Sequence, residues 1–202
     1  MLVPVRSASE DPDPEPAPIE EALVRRAREG DRGAFDRLVG LHLPRVWAVV
    51  ARIVRHREDA EDVVQETFLT AHRSIADYRG DAAFSTWLHR IAVTRALNHL
   101  NRASVRLARA SDPIDGDGVP ELAASEAKTP LRALESKELL RRLADCLEKL
   151  PATWKAVVAL RDAEELSYEE IARVLGIELG TVRSRLARAR GSLKDCVEGG
   201  SR

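Results

Sequence analysis

The sequence predicts an all-α protein of two small helical domains joined by a flexible acidic linker. Apolar residues recur at spacings of three and four through most of the chain, and no segment shows convincing strand alternation. From Ser111 to Pro130 the composition shifts: Asp112, Asp115, Asp117, Glu121 and Glu126 stand among glycine and proline, as in a tether rather than a core. Finally, SYEEIARVLGIELGTVRSRLARAR at Ser167 to Arg190 reads as two short helices about a tight turn, with arginine concentrated on the second.

Each element follows from local chemistry. Met1 to Pro18 is rich in proline and acid and has too little apolar surface to offset its ordering entropy, so it reads as a disordered leader. Ala22, Leu23, Arg26 and Ala27 predict a first helix that Gly30 ends. Phe35, Leu38 and Val39 begin a second, which Pro44 is expected to kink or restart before Val46, Trp47, Val49, Val50 and Ile53 continue the apolar side. A third helix is expected from about Glu58 to Ala76. Gly80-Asp81 breaks the chain before a fourth, from about Phe84 to Arg102. Beyond the linker, helices are expected at about Leu131 to Lys149 and from Pro151 to about Asp162, proline being suited to a first helical position. The resulting division is a leader at 1–18, a first domain at 19–103, a linker at 104–130, a second domain at 131–196 and a tail at 197–202.

With 202 residues, 44% of them apolar, the chain has room for real cores. Its formal net charge of -1 hides an uneven distribution, with acids before Glu21 and in the linker and bases towards the end, so it does not argue against DNA binding. Cys146 and Cys196 have no CxxC spacing and no histidine cluster nearby; they are expected to be a buried small hydrophobe and a tail thiol rather than a disulfide or a zinc site. No apolar run approaches the roughly 20 residues that span a bilayer, and no signal pattern stands at the N-terminus, so a cytoplasmic location is expected.

The paired helices are the clearest local signal. Ser167 and Glu170 form an S-x-x-E capping box, Ile171, Ala172, Val174 and Leu175 give an apolar side, and Gly176 opens the turn. Leu179, Val182 and Leu186 then face inward. Arg183, Arg185, Arg188 and Arg190 project mostly elsewhere, as side chains that bond phosphates or fork onto guanine edges must. Thr181, Ser184 and Arg185 are the candidates for base edges.

Two blocks in the first domain add to this. On a helix, Ala60, Val63, Val64 and Phe68 face inward, while Asp62, Gln65, Glu66 and Leu69 share another side. That side suits either a docking surface or, for its acids, simple complementation of the helix dipole. In Phe84 to Asn98, Leu88, Ile91, Ala92 and Leu97 make a core side, and Arg90, Thr94, Asn98 and Asn101 repeat on another. Single-stranded bases are held by such combinations of apolar walls, hydrogen-bonding groups and cations, although a tryptophan like Trp87 is more often core than platform.

Together these blocks resemble the bacterial RNA polymerase sigma factors of the extracytoplasmic-function (ECF) group, in the sigma-70 family. The resemblance covers about Ile19 to Ala103 and Leu131 to Asp195. It is carried by Asp-Ala-Glu-Asp-Val-x-Gln-Glu-x-Phe-Leu at Asp59 to Leu69, Phe-x-Thr-Trp-Leu-x-Arg-Ile-Ala at Phe84 to Ala92, and Gly-Thr-Val-x-Ser-Arg-Leu-x-Arg-Ala-Arg at Gly180 to Arg190. It implies a four-helix sigma domain two and a helix-turn-helix sigma domain four. By the same resemblance, Asp59, Asp62, Gln65, Glu66 and Leu69 would grip the coiled coil of the polymerase beta-prime subunit, with the beta flap as a further contact. The loop from Arg79 to Phe84 and the helix after it, with Phe84, Ser85, Thr86, Trp87, Arg90, Thr94, Arg95 and Asn98, would capture a flipped base and hold the melted minus-ten element. Thr181, Arg183, Ser184, Arg185, Arg188 and Arg190 would enter the major groove at the minus-thirty-five element. Val93-Thr94 departs from the residue-asparagine pair of many members, and Glu178-Leu179 from a common proline.

The function implied is a non-enzymatic initiation factor without cofactor or metal, whose partners are core polymerase, promoter DNA as duplex and melted strand, and an anti-sigma protein that can hold it at the membrane without inserting it there. The linker acids read either as a nucleic-acid mimic or as a solvated tether. A polymerase-independent helix-turn-helix regulator is the alternative, and it leaves the Asp59 to Glu66 surface without a task. A helical decoy that binds polymerase without starting transcription is a second. No metal cluster, phosphate-cradling loop or nucleophile-base pair points to an enzyme.

Overall fold

The computed structural model describes residues 16–109 and 130–199. They form eight α-helices, one short 3-10 turn and no strand. The leader before residue 16 and the acids Asp112, Asp115, Asp117, Glu121 and Glu126 lie outside the described residues.

Helix α1 (Pro16–Arg28) starts within the expected leader, since proline lacks only an amide that a first turn leaves unbonded anyway. Gly30, at φ 93°, turns the chain out of it. Asp31 caps α2 (Arg32–Ile53) by accepting from the Ala34 amide at 3.1 Å, which holds its carboxyl below the usual value together with Arg26. Contrary to expectation, α2 neither stops nor restarts at Pro44. Gly40 and Pro44 both lie on the exposed side, so the carbonyl deprived of its amide partner can be hydrated.

Helix α3 (Arg57–Ser74) ends in the 3-10 turn Ile75–Asp77, and α4 (Phe84–Arg109) runs past the expected end at Arg102. After the linker come α5 (Pro130–Glu148), α6 (Ala152–Glu164), α7 (Tyr168–Leu175) and α8 (Leu179–Gly199), the last extending into the expected tail. At the α6–α7 corner Glu165 adopts φ 54°, and Arg161 holds the turn by donating to the Leu166 carbonyl at 2.8 Å.

The two halves share one continuous core. Val46, Val49, Val50 and Ile53 of α2 are buried in the same apolar cluster as Val63 of α3, Leu88 of α4, and Val157 and Leu160 of α6. Helix α6 packs on α2 and α4, and α7 packs on α4. The cysteine expectation is corrected: Cys146 of α5 and Cys196 of α8 form a disulfide, their Cα atoms 5.9 Å apart. Packing of α5 on α8 brings together residues 50 apart in sequence, which spacing alone does not reveal.

Candidate functional site

The surface of α3 is built as its periodicity requires. Ala60, Val63 and Val64 are buried and Phe68 is partly buried, while Asp62, Gln65, Glu66 and Leu69 are exposed. The exposed residues do not act as one set. Gln65 and Leu69 border a groove of about 830 Å³ between α2 and α3, and Leu69 is 49% exposed. Asp59 and Glu66 are drawn towards α4 instead: Asp59 lies 3.4 Å from His99 Nε2, and Glu66 4.0 Å from Arg95.

The other wall of the groove is Phe35, Val39, Leu43 and Trp47 of α2. Sequence reasoning assigned three of these to an apolar helix side but not to a site. Their spacing of four residues places them on one row of the helix, which was the available signal. Arg57, Glu61 and His72 add polar groups to the rim.

The start of α4 and the loop before it form a second cluster. The Tyr78, Phe84 and Trp87 rings lie with centroids 5.3–5.7 Å apart, and the Tyr78 hydroxyl donates to the Ala82 carbonyl at 2.5 Å. Burial raises the Tyr78 pKa above its ordinary value, which keeps the hydroxyl a donor. Phe84 and Thr86 are buried, Ser85, Trp87 and Arg95 are partly so, and Arg79, Arg90, Thr94 and Asn98 are exposed. A cavity of about 330 Å³ is lined by Arg79, Thr86, Trp87 and Arg90, and also by Arg173 of α7, a residue that sequence reasoning did not include.

The helix-turn-helix is formed as its local chemistry predicts. The Ser167 amide donates to Glu170 Oε2 at 2.8 Å and the Glu170 amide donates to Ser167 Oγ at 3.2 Å, so the capping box is complete. These bonds, the Ser167 backbone amide first, hold the Glu170 carboxyl below its usual pKa. Gly176 takes the left-handed conformation at φ 63°. Val182, Leu186 and Ala189 are buried, and Arg183, Arg188 and Arg190 are exposed. Arg185 and Thr181 are partly buried. Ser184 donates back to the Thr181 carbonyl at 3.1 Å, and Arg190 lies 3.7 Å from Asp162 of α6.

The sequence matches the Sigma-70 region 2 family over residues 38–106 and the Sigma-70, region 4 family over residues 140–193. It is 36% identical over 187 residues to the RNA polymerase sigma-H factor of Pseudomonas aeruginosa, covering 89% of this chain and 94% of that protein. The chain belongs to the ECF group of sigma-70 factors. The ECF sigma-E factor of Haemophilus influenzae is 38% identical over 187 residues, covering 89% of this chain and 95% of its own. Among solved structures, the sigma factor RpoE of Bartonella quintana, determined with the anti-sigma factor NepR, shares the fold at a TM-score of 0.67 and 21% identity, covering 81% of this ECF chain and 96% of its own. Among the described residues no helix of this ECF factor is long and apolar enough to cross a membrane.

Proposed function

We propose that this ECF factor directs transcription initiation by docking on core RNA polymerase through the α2–α3 groove, holding melted minus-ten DNA at the start of α4, and reading the minus-thirty-five element with α8. The observation that carries the reading is the groove itself. An open apolar trough walled by Phe35, Leu43, Trp47 and Leu69, with Gln65 and Glu61 beside it, suits a partner helix laid along it, such as one strand of the beta-prime coiled coil. The Tyr78, Phe84 and Trp87 rings and nearby Arg79 and Arg90 supply the apolar and cationic parts of a base pocket. Arg183, Arg185 and Arg188 are the phosphate and base contacts of α8.

An anti-sigma protein is included as partner, since the solved neighbours RpoE of Bartonella quintana and CnrH were each determined with one or with its cytosolic domain, NepR and CnrY respectively. The polymerase-independent regulator is not favoured, because the region 2 match covers the half of the chain that it leaves without a task.

The test is transcription in vitro by purified core polymerase on fragmented genomic DNA, with and without this protein. Discrete new starts that share two upstream elements are expected. Core binding without new starts would favour the decoy, and neither would favour the independent regulator. In the same system Leu69→Glu sets a charge in the groove and should weaken core binding at least about tenfold, as loss of one buried leucine predicts; unchanged affinity would move the docking site elsewhere.

A further inference from the structure

The packing of the two halves bears on how the free protein is held, given the function proposed above, on which this inference rests. The last residue of α6, Glu164, has a side chain only 3% exposed. Its Oε2 lies 3.1 Å from Arg45 Nε on α2 and 3.4 Å from His89 Nε2 on α4. One carboxylate from the second half therefore bridges two helices of the first. Around it, α6 is seated on α2 and α4, and α7 brings Arg173 to the cavity formed by Arg79, Thr86, Trp87 and Arg90.

This arrangement is incompatible with simultaneous reading of both promoter elements. Elements named for positions ten and thirty-five are about 25 base pairs apart, roughly 85 Å along B-form DNA. Halves whose side chains meet at Arg45 and Glu164 do not span that distance. Opening exposes apolar surface on α2 and α6 and leaves Glu164 without Arg45, so the closed packing is favoured until another surface compensates.

We propose that this closed packing is self-inhibitory, with α6 clasped on α2 and α4 by Glu164 as its latch, and that it withholds the minus-ten surface from DNA until polymerase docking releases it. Arg45 is more than half exposed at its side chain, so Arg45→Glu can set like charges at the latch without disturbing the core. Glu164→Arg breaks the same pair from the other side, and the double exchange restores it with reversed polarity.

The full-length proteins would be compared by small-angle X-ray scattering and by binding to a fluorescent random-sequence single-stranded DNA 20-mer, with helical circular dichroism as the folding control. Each single variant should expand the free protein and tighten DNA binding by about tenfold or more, as expected for like charges forced together in an interface, and the double exchange should reverse both changes. No expansion in Arg45→Glu, expansion without tighter DNA binding, or a double exchange that fails to restore closure would each overturn the proposal. Transcription by the wild-type protein with core polymerase, run in parallel, reports on the initiation reading separately: new starts with a failed latch test would leave that reading standing.

Discussion

His89 ties the stability of this protein to pH. Its ring is buried at 2% exposure, and burial first, then the charges of Arg45 and His42, lower its pKa to about 4. The unfolded chain then binds a proton that the folded one refuses. Stability is full above the ordinary histidine value near 6.5 and falls as the pH drops towards 4, by up to about 1.4 kcal/mol per pH unit. Glu164 acts with the opposite sign. Burial raises its pKa against the pull of Arg45 and Arg52, so its contribution is lost as pH rises through that raised value. His89→Gln removes the first dependence alone, and urea midpoints measured from about pH 6.5 to about pH 5 should vary less than in the wild type; an unchanged slope would assign the acid sensitivity to another group. Glu170 was legible to the last hydrogen bond, because a capping box spans four consecutive residues and needs no tertiary partner. His89 was not, since nothing in its neighbours along the chain announces a carboxylate arriving from α6.

Between helices, the Cys146–Cys196 bridge closes a loop of 50 residues that contains α6, α7 and most of α8. By restricting the unfolded chain, a loop of this kind typically contributes about 2–4 kcal/mol. Cys146→Ser should lower the thermal midpoint of the oxidised protein, and a reductant should do the same to the wild type but not to the variant. Equal midpoints in all conditions would mean that the α5–α8 packing is sufficient without the bond. The groove shows a related limit of local pattern. Its α3 wall was legible as exposed residues at helical spacing, but the α2 wall was read as part of an apolar core side, because periodicity cannot tell a face covered by its own chain from one left open. Pro44 illustrates the reverse error: a strong local rule predicts a break, and exposure of the affected turn lets the helix pass through it.

For the molecule as a whole, charge placement matters more than the net charge of -1. Arg183 and Arg188 are exposed on α8, and in a promoter complex with core polymerase each phosphate contact they make should add about one unit to the slope of log affinity against log salt. Arg183→Ala and Arg188→Ala should each flatten that slope and weaken binding across sequences alike, whereas loss of preference at one base pair would mark the residue as a base reader instead. The closed arrangement adds a second level of control, since α8 and the start of α4 belong to halves that are packed together in the free chain.

Pattern along the chain was enough for the all-α class, the order of the helices, the capped turn before α8 and the residues of α3, α4 and α8 from which the candidate sites are built. These depend on periodicity, caps and breaks, which act over a few neighbouring residues. Tertiary packing was needed to establish that Glu164 meets Arg45 and His89, that Cys146 meets Cys196, that Asp59 and Glu66 turn to α4, and that α6 covers α2. Each of those contacts joins residues distant in sequence, and its formation rests on how whole helical faces pack rather than on any local signal.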